Sequence, residues 1–175
     1  RDDAVGEAFD KIAKFLGLGY PGGRVIEDLS RGGKRNYVVF PRPMIEEKNY
    51  DFSFSGLKTS MLNYIKKHGL YPENTKDVLA SFQEAALDVL VEKTLKAAKE
   101  SGIRRVVVGG GVASNGRLRE VFGERGYAEG IDVFFSSPTF CTDNGAMIAN
   151  IAYHYYERGL VSPLNARAYS RMKMR

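Results

Sequence analysis

Two short segments concentrate the residues that could do chemistry. The first is "RRVVVGGGVASNGRLRE", residues 104–120, in which a run of valines stops at Gly109, Gly110 and Gly111 and a charged, helix-like stretch begins near Asn115. Ligands of open α/β sheets bind beyond the carboxyl ends of strands, often at a helix N-terminus. Three glycines there would let a flat base or a phosphate meet bare backbone, and Asn115 could bond a ligand edge. The same residues also suit a tight turn in which Ser114 or Asn115 only caps the next helix. The second segment is "TFCTDNGAMIA", where Asp143 is either a metal carboxylate at a loop or, with Thr142, a helix cap. Asp10 has a comparable choice between ligand hydroxyls and an i,i+4 pair with Lys14. Lys58, in "FSFSGLKTS", could serve a phosphate or be solvated.

Other reactive types offer less. His68 and His154 have no partners at metal-ligand spacing and read as structural. Cys141, the single cysteine, has no neighbouring histidine to activate it and reads as a buried thiol. It cannot form an internal disulfide, which fits a reducing cytosol. No apolar run reaches the roughly 18 residues needed to cross a bilayer, so a soluble, cytoplasmic protein is expected. The net charge of +5 lies entirely in the tail: Arg158, Arg167, Arg171, Lys173 and Arg175 face no acid from residue 158 onward. With Tyr169 among them, these cations could reach a phosphate backbone or be a solvated terminus.

These residues need elements to hold them. Val5, Ala8, Phe9, Ile12, Ala13 and Leu16 fall at helical spacing behind Asp2 or Asp3 as cap, with Gly17 as the stop. "GLGYPGG" is a turn leading to a short helix, "RVIEDLSRG". Strands are expected at 36–40 and at the alternating 51–55. Helices are expected next in "GLKTSMLNYIKK" and in the stretch from Thr75, as cap, to Gly102. Then come strand 103–108, helix 115–125, strand 131–135 and helix 144–158. The order predicts an α/β chain with a mixed sheet and helices on its faces, an RNase H-like lobe of the actin-like ATPase (ASKHA) type.

"DDAVGEAFDK", "GLGYPGG", "DFSFSGLKTS", "GGGVASN" and "CTDNGAMIA" occur in order from Asp2 to the C-terminal region. In this the chain resembles the TsaD/Gcp family, the tRNA N6-adenosine threonylcarbamoyltransferases, which have a two-lobed, actin-like ATPase fold. The resemblance implies transfer of a threonylcarbamoyl group from threonylcarbamoyl-AMP to N6 of the adenine next to the tRNA anticodon. It implies adenylate contacts at Asp10, Gly23 and Asn115, around the glycines 109–111, with Glu27 reaching ribose hydroxyls. It also implies a divalent metal, iron or zinc, on Asp143. The partners implied are tRNA, an adenine nucleotide, and companion proteins: a fold-related paralogue and a small ATPase.

Two departures qualify the match. Arg24 follows "YPGG" where the family usually has proline. The family's HxxxH metal pair is absent from this sequence, and the chain starts with Arg1. The expectation is therefore a C-terminal portion, inactive alone, with residues 1–35 a helical segment, 36–160 the lobe and 161–175 a basic tail. A small-metabolite kinase lobe would explain "GGGVASN" but not "CTDNGA"; a non-catalytic nucleotide- or RNA-binding module is the third reading.

Overall fold

The backbone is organised around one long helix. A computed structural model describes residues 2–167, so the expectations for Tyr169, Arg171, Lys173 and Arg175 fall outside the described residues. In chain order the elements are α1 (Val5–Phe15), α2 (Gly22–Ser30), α3 (Ser55–His68), α4 (Pro72–Glu100), β1 (Arg105–Val108), α5 (Gly116–Glu129), β2 (Asp132–Phe135) and α6 (Gly145–Glu157). Two 3-10 turns, Gly111–Ser114 and Pro138–Phe140, come after the two strands.

The chain divides into two units, one up to Thr142 and one from Asp143. The first includes α1 and α2 together with α3 to α5. Helix α4 is buried along much of its length, because other helices pack on more than one of its sides. Its N-terminal half, with Val78, Leu79, Phe82 and Ala86, joins a core with Phe9 and Ile12 of α1, Ile26 of α2, and Leu57 and Met61 of α3. Its C-terminal half, with Leu87, Val91 and Leu95, packs on Leu118, Val121 and Phe122 of α5. Pro72 occupies the first turn, where its missing N–H costs nothing. Thr75 is therefore inside α4, its hydroxyl bonded to Tyr71 O at 2.6 Å, and is not the expected cap. The buried Lys93 ammonium donates to Met44 O at 2.8 Å and holds the 41–50 segment along the helix.

The expected strands at 36–40 and 51–55 are not formed. The first turns and bends, with Tyr37 N–H bonded back to Lys34 O, and the second runs into α3 at Ser55; side chains, and no neighbouring strand, hold both. Val38 N–H donates to Ser81 Oγ of α4 at 3.1 Å, and Phe40 sits edge-on to Phe82 while Val39 is 89% exposed. Phe54 N–H donates to Asp2 Oδ1 at 3.0 Å, and the hydroxyls of Ser53 and Ser55 donate to Asp2 Oδ2. The alternation of "DFSFS" thus records one polar partner, and not a ladder. These hydroxyl bonds, chiefly, hold the Asp2 carboxyl well below its ordinary range. Asp3 is likewise lowered, first by Lys11 and then by Lys58. Neither aspartate caps α1, whose N-cap residue is Ala4.

Among the described residues the sheet is two parallel strands, Arg105 opposite Asp132 through Val108 opposite Phe135. It is parallel rather than mixed. Val106, Val108, Val133 and Phe135 face the core, whereas Val107 is 80% exposed and Phe134 half exposed on the opposite face. In the second unit α6 is capped by Asn144, whose side chain accepts from Met147 N at 3.0 Å. The cap expected at Thr142 or Asp143 falls one residue later. No helix among the described residues is long and apolar enough to cross a membrane.

Candidate adenylate cleft

A cleft of about 990 Å³ opens in the first unit between the α1–α2 corner and the glycine loop after β1. Its first wall depends on a close approach. A Cβ on Gly22 would lie 2.6 Å from Asp10 Cα and 2.7 Å from Phe9 O, so only glycine lets α2 start against α1. Asp10 Oδ1 then accepts the Gly22 N–H at 2.7 Å, satisfying one of the orphan donors at the start of α2. Asp10 makes this bond and no pair with Lys14. Gly23, the next residue, lines the cleft against the Phe9 ring. One turn on, Glu27 Oε1 accepts the Gly116 N–H at 2.7 Å, which puts a carboxylate at the N-terminus of α5. Asp10 and Glu27 each commit one oxygen to a helix start.

The second wall is backbone. β1 ends at Val108 and the chain turns through Gly109–Gly111. Gly110 has φ +90°, outside the range comfortable for side chains, and a Cβ on Gly109 or Gly110 would meet nothing within 4 Å. The turn is held from behind. Ser114 Oγ donates to Gly111 O at 2.7 Å. Asn115 is 4% exposed and its amide is engaged at both ends: Oδ1 accepts Leu118 N–H and Nδ2 donates to Gln83 Oε1 of α4, both at 2.9 Å. Asn115 therefore caps α5 and ties the rim of the cleft to the central helix.

Arg119 fixes the remaining edge. It donates to Ala113 O at 2.8 Å and Ser136 O at 2.6 Å, reaches Cys141 Sγ at 3.2 Å, and lies over the Phe135 ring. This staples the 136–142 loop, which brings Thr139 and Thr142 to the cleft. Cys141 is buried in that contact. Lys58 pairs with Asp3, and His68 stacks on Tyr64 at 4.8 Å; neither lines the cleft.

The structure thus brings Asp10, Gly23, Glu27, Gly109, Gly110, Gly111 and Asn115 to one cleft from four segments. Gln83 and Arg119, which hold it, were not foreseen. Their partners are distant in sequence and no local spacing marks them. Asp143 belongs to the second unit and is exposed. No group of three or more His, Cys, Asp or Glu side chains that could hold a metal occurs among the described residues. A single carboxylate does not make a metal site, so these residues do not fit one by themselves.

The family model for TsaD, tRNA N6-adenosine threonylcarbamoyltransferase, matches residues 1–150. A protein of that name from Syntrophus aciditrophicus is 55% identical over 173 residues, covering 98% of this chain and 51% of the relative. Proteins of the same name from Thermotoga neapolitana and Syntrophotalea carbinolica are 49% and 50% identical, covering 95% and 97% of this chain and 50% of each relative. The chain spans about half the length of these curated relatives.

Proposed function

The chain belongs to the TsaD family of tRNA N6-adenosine threonylcarbamoyltransferases, and from that premise we propose that it is an actin-like lobe that binds the adenylate half of threonylcarbamoyl-AMP. The observation that carries the reading is the pairing of the two walls. Bare glycine backbone admits a flat base or a phosphate, and the spare oxygens of Asp10 and Glu27 accept from a ribose diol. A neutral apolar ligand would leave both carboxylates unsatisfied.

In the complete enzyme the N6 amine of the acceptor adenine attacks the carbamoyl carbonyl carbon. A C–N bond forms, the bond from that carbon to the phosphate oxygen breaks, and AMP leaves as the amine loses a proton. This chain's contribution is positional: the cleft fixes the adenylate, so that the carbonyl is presented to the amine and the leaving group is held in place. Asp143 is assigned one ligand position in an iron or zinc site completed by histidines outside this chain. The tail cations Arg158 and Arg167, with those beyond residue 167, are assigned to the tRNA phosphate backbone, an electrostatic contact that weakens with salt. A fold-related paralogue and a small ATPase are the expected companions.

The test is calorimetric titration of the intact protein with AMP, beside Gly109→Val. Because nothing surrounds a Cβ at Gly109, the valine enters the cleft without disturbing the packing. Binding by the parent and its loss in the folded variant is the expected result. A folded parent that binds no adenine nucleotide, or a variant that binds equally well, overturns the assignment.

A further inference from the structure

We propose that Arg24 is a phosphate-recognising residue of this cleft, which makes it select a nucleotide over a nucleoside. The proposal rests on the adenylate reading and adds to it how the cleft tells ligand charge.

Arg24 lies in the first turn of α2, directly after Gly23 and three residues before Glu27, so all three share one side of that helix. Among the described residues that line the cleft it is the one cation, and the two acids there are Asp10 and Glu27. The acids are acceptors and suit hydroxyls; toward an anion they are repulsive. A ligand with both a diol and an anionic group therefore needs a cation on the same wall, and Arg24 is placed to supply it. Its Nε is bonded to Asp28 Oδ2 at 3.2 Å, one turn further along α2, and Asp28 Oδ1 is shared with Arg31 at 2.9 Å. Asp28 thus steadies the near side of the guanidinium. The side chain stays 73% exposed, and the planar Nη1/Nη2 fork matches the oxygens of a phosphoryl group. Being exposed, the contact is screened by salt and is worth a modest factor.

The experiment measures AMP and adenosine affinities by calorimetry for the intact protein, Arg24→Gln and Arg24→Lys, at low and high salt. The parent is expected to prefer AMP over adenosine by roughly tenfold at low salt and by less at high salt. In Arg24→Gln the preference falls to near one, while adenosine binds within about twofold of the parent; Arg24→Lys keeps the charge without the fork and lies between. An AMP preference that survives in Arg24→Gln overturns the proposal and leaves the cleft assignment standing. So does an equal loss of both ligands, which would make Arg24 a structural residue. A parent that binds both ligands equally overturns it as well. Binding of neither ligand by the folded parent overturns the cleft assignment itself, and this inference with it.

Discussion

The two walls of the cleft solve different problems. The α1–α2 wall is made of committed contacts: Gly22 fitted against Asp10 and Phe9, Asp10 on the start of α2, Glu27 on the start of α5. The glycine wall has almost no contacts on its open side; a Cβ at Gly109 or Gly110 touches nothing within 4 Å. One wall is tightly packed and carries charge, and the other is permissive and carries shape. The same residue type, glycine, is required on the first by crowding and on the second by backbone angle and by access.

The sharpest way to break the comparison is to put the same side chain on each wall. Gly22→Val should destabilise by about 3 kcal/mol, because three atoms of α1 lie within 2.9 Å of the new Cβ and two of them are backbone that cannot step aside. Thermal unfolding checks it, and a change under about 1 kcal/mol would mean the corner is looser than the distances state. Between the walls stands Asn115. Asn115→Ala removes the α5 cap and leaves the Gln83 amide without its partner in a buried site, a loss of about 2 kcal/mol. Asn115→Asp separates these two parts: it keeps the cap while giving Gln83 no N–H to accept, and should fall between parent and alanine. Gly110→Ala should cost only about 1–2 kcal/mol, from the positive φ and not from crowding. If its cost matched that of Gly22→Val, the open wall would not be open.

The glycine wall was legible from local spacing, whereas Asp10, Gly23 and Glu27 of the charged wall were named only through the family resemblance, for a physical reason. A strand, three glycines and a helix start are consecutive, and local rules read consecutive residues well. The five helices expected before α6 all formed, as did both later strands. The bond from Asp10 to Gly22 spans twelve residues and that from Glu27 to Gly116 spans eighty-nine; no periodicity reports either. The i,i+4 expectation for Asp10 and Lys14 failed because a helix N-terminus was nearer. The strands expected at 36–40 and 51–55 failed for a related reason. The alternation of 51–55 was real, but strand pairing needs a second strand, and the polar groups of Ser81 and Asp2 took its place.

The smallest expected effect sets the bare glycine wall against a charged contact at the start of α1 by pH. Asp2 anchors the 53–55 segment beside the start of α1, and its folded-state pKa is lowered chiefly by the Ser53 and Ser55 hydroxyls. A depressed carboxylate contributes stability that is complete above its unfolded pKa, about 4, and is lost as pH falls toward the folded value. The parent should therefore be more stable than Asp2→Asn at pH 7, and that advantage should shrink progressively below about pH 4. The residues 109–111 hold no titrating side chain, so the offset between the parent and Gly110→Ala should stay constant over the same range. Thermal melts of the three proteins from pH 7 to pH 3 read both at once. An Asp2→Asn offset that does not change with pH would mean that the serine bonds do not persist in solution; an offset for Gly110→Ala that does change would place a titrating group against the wall that the structure leaves bare.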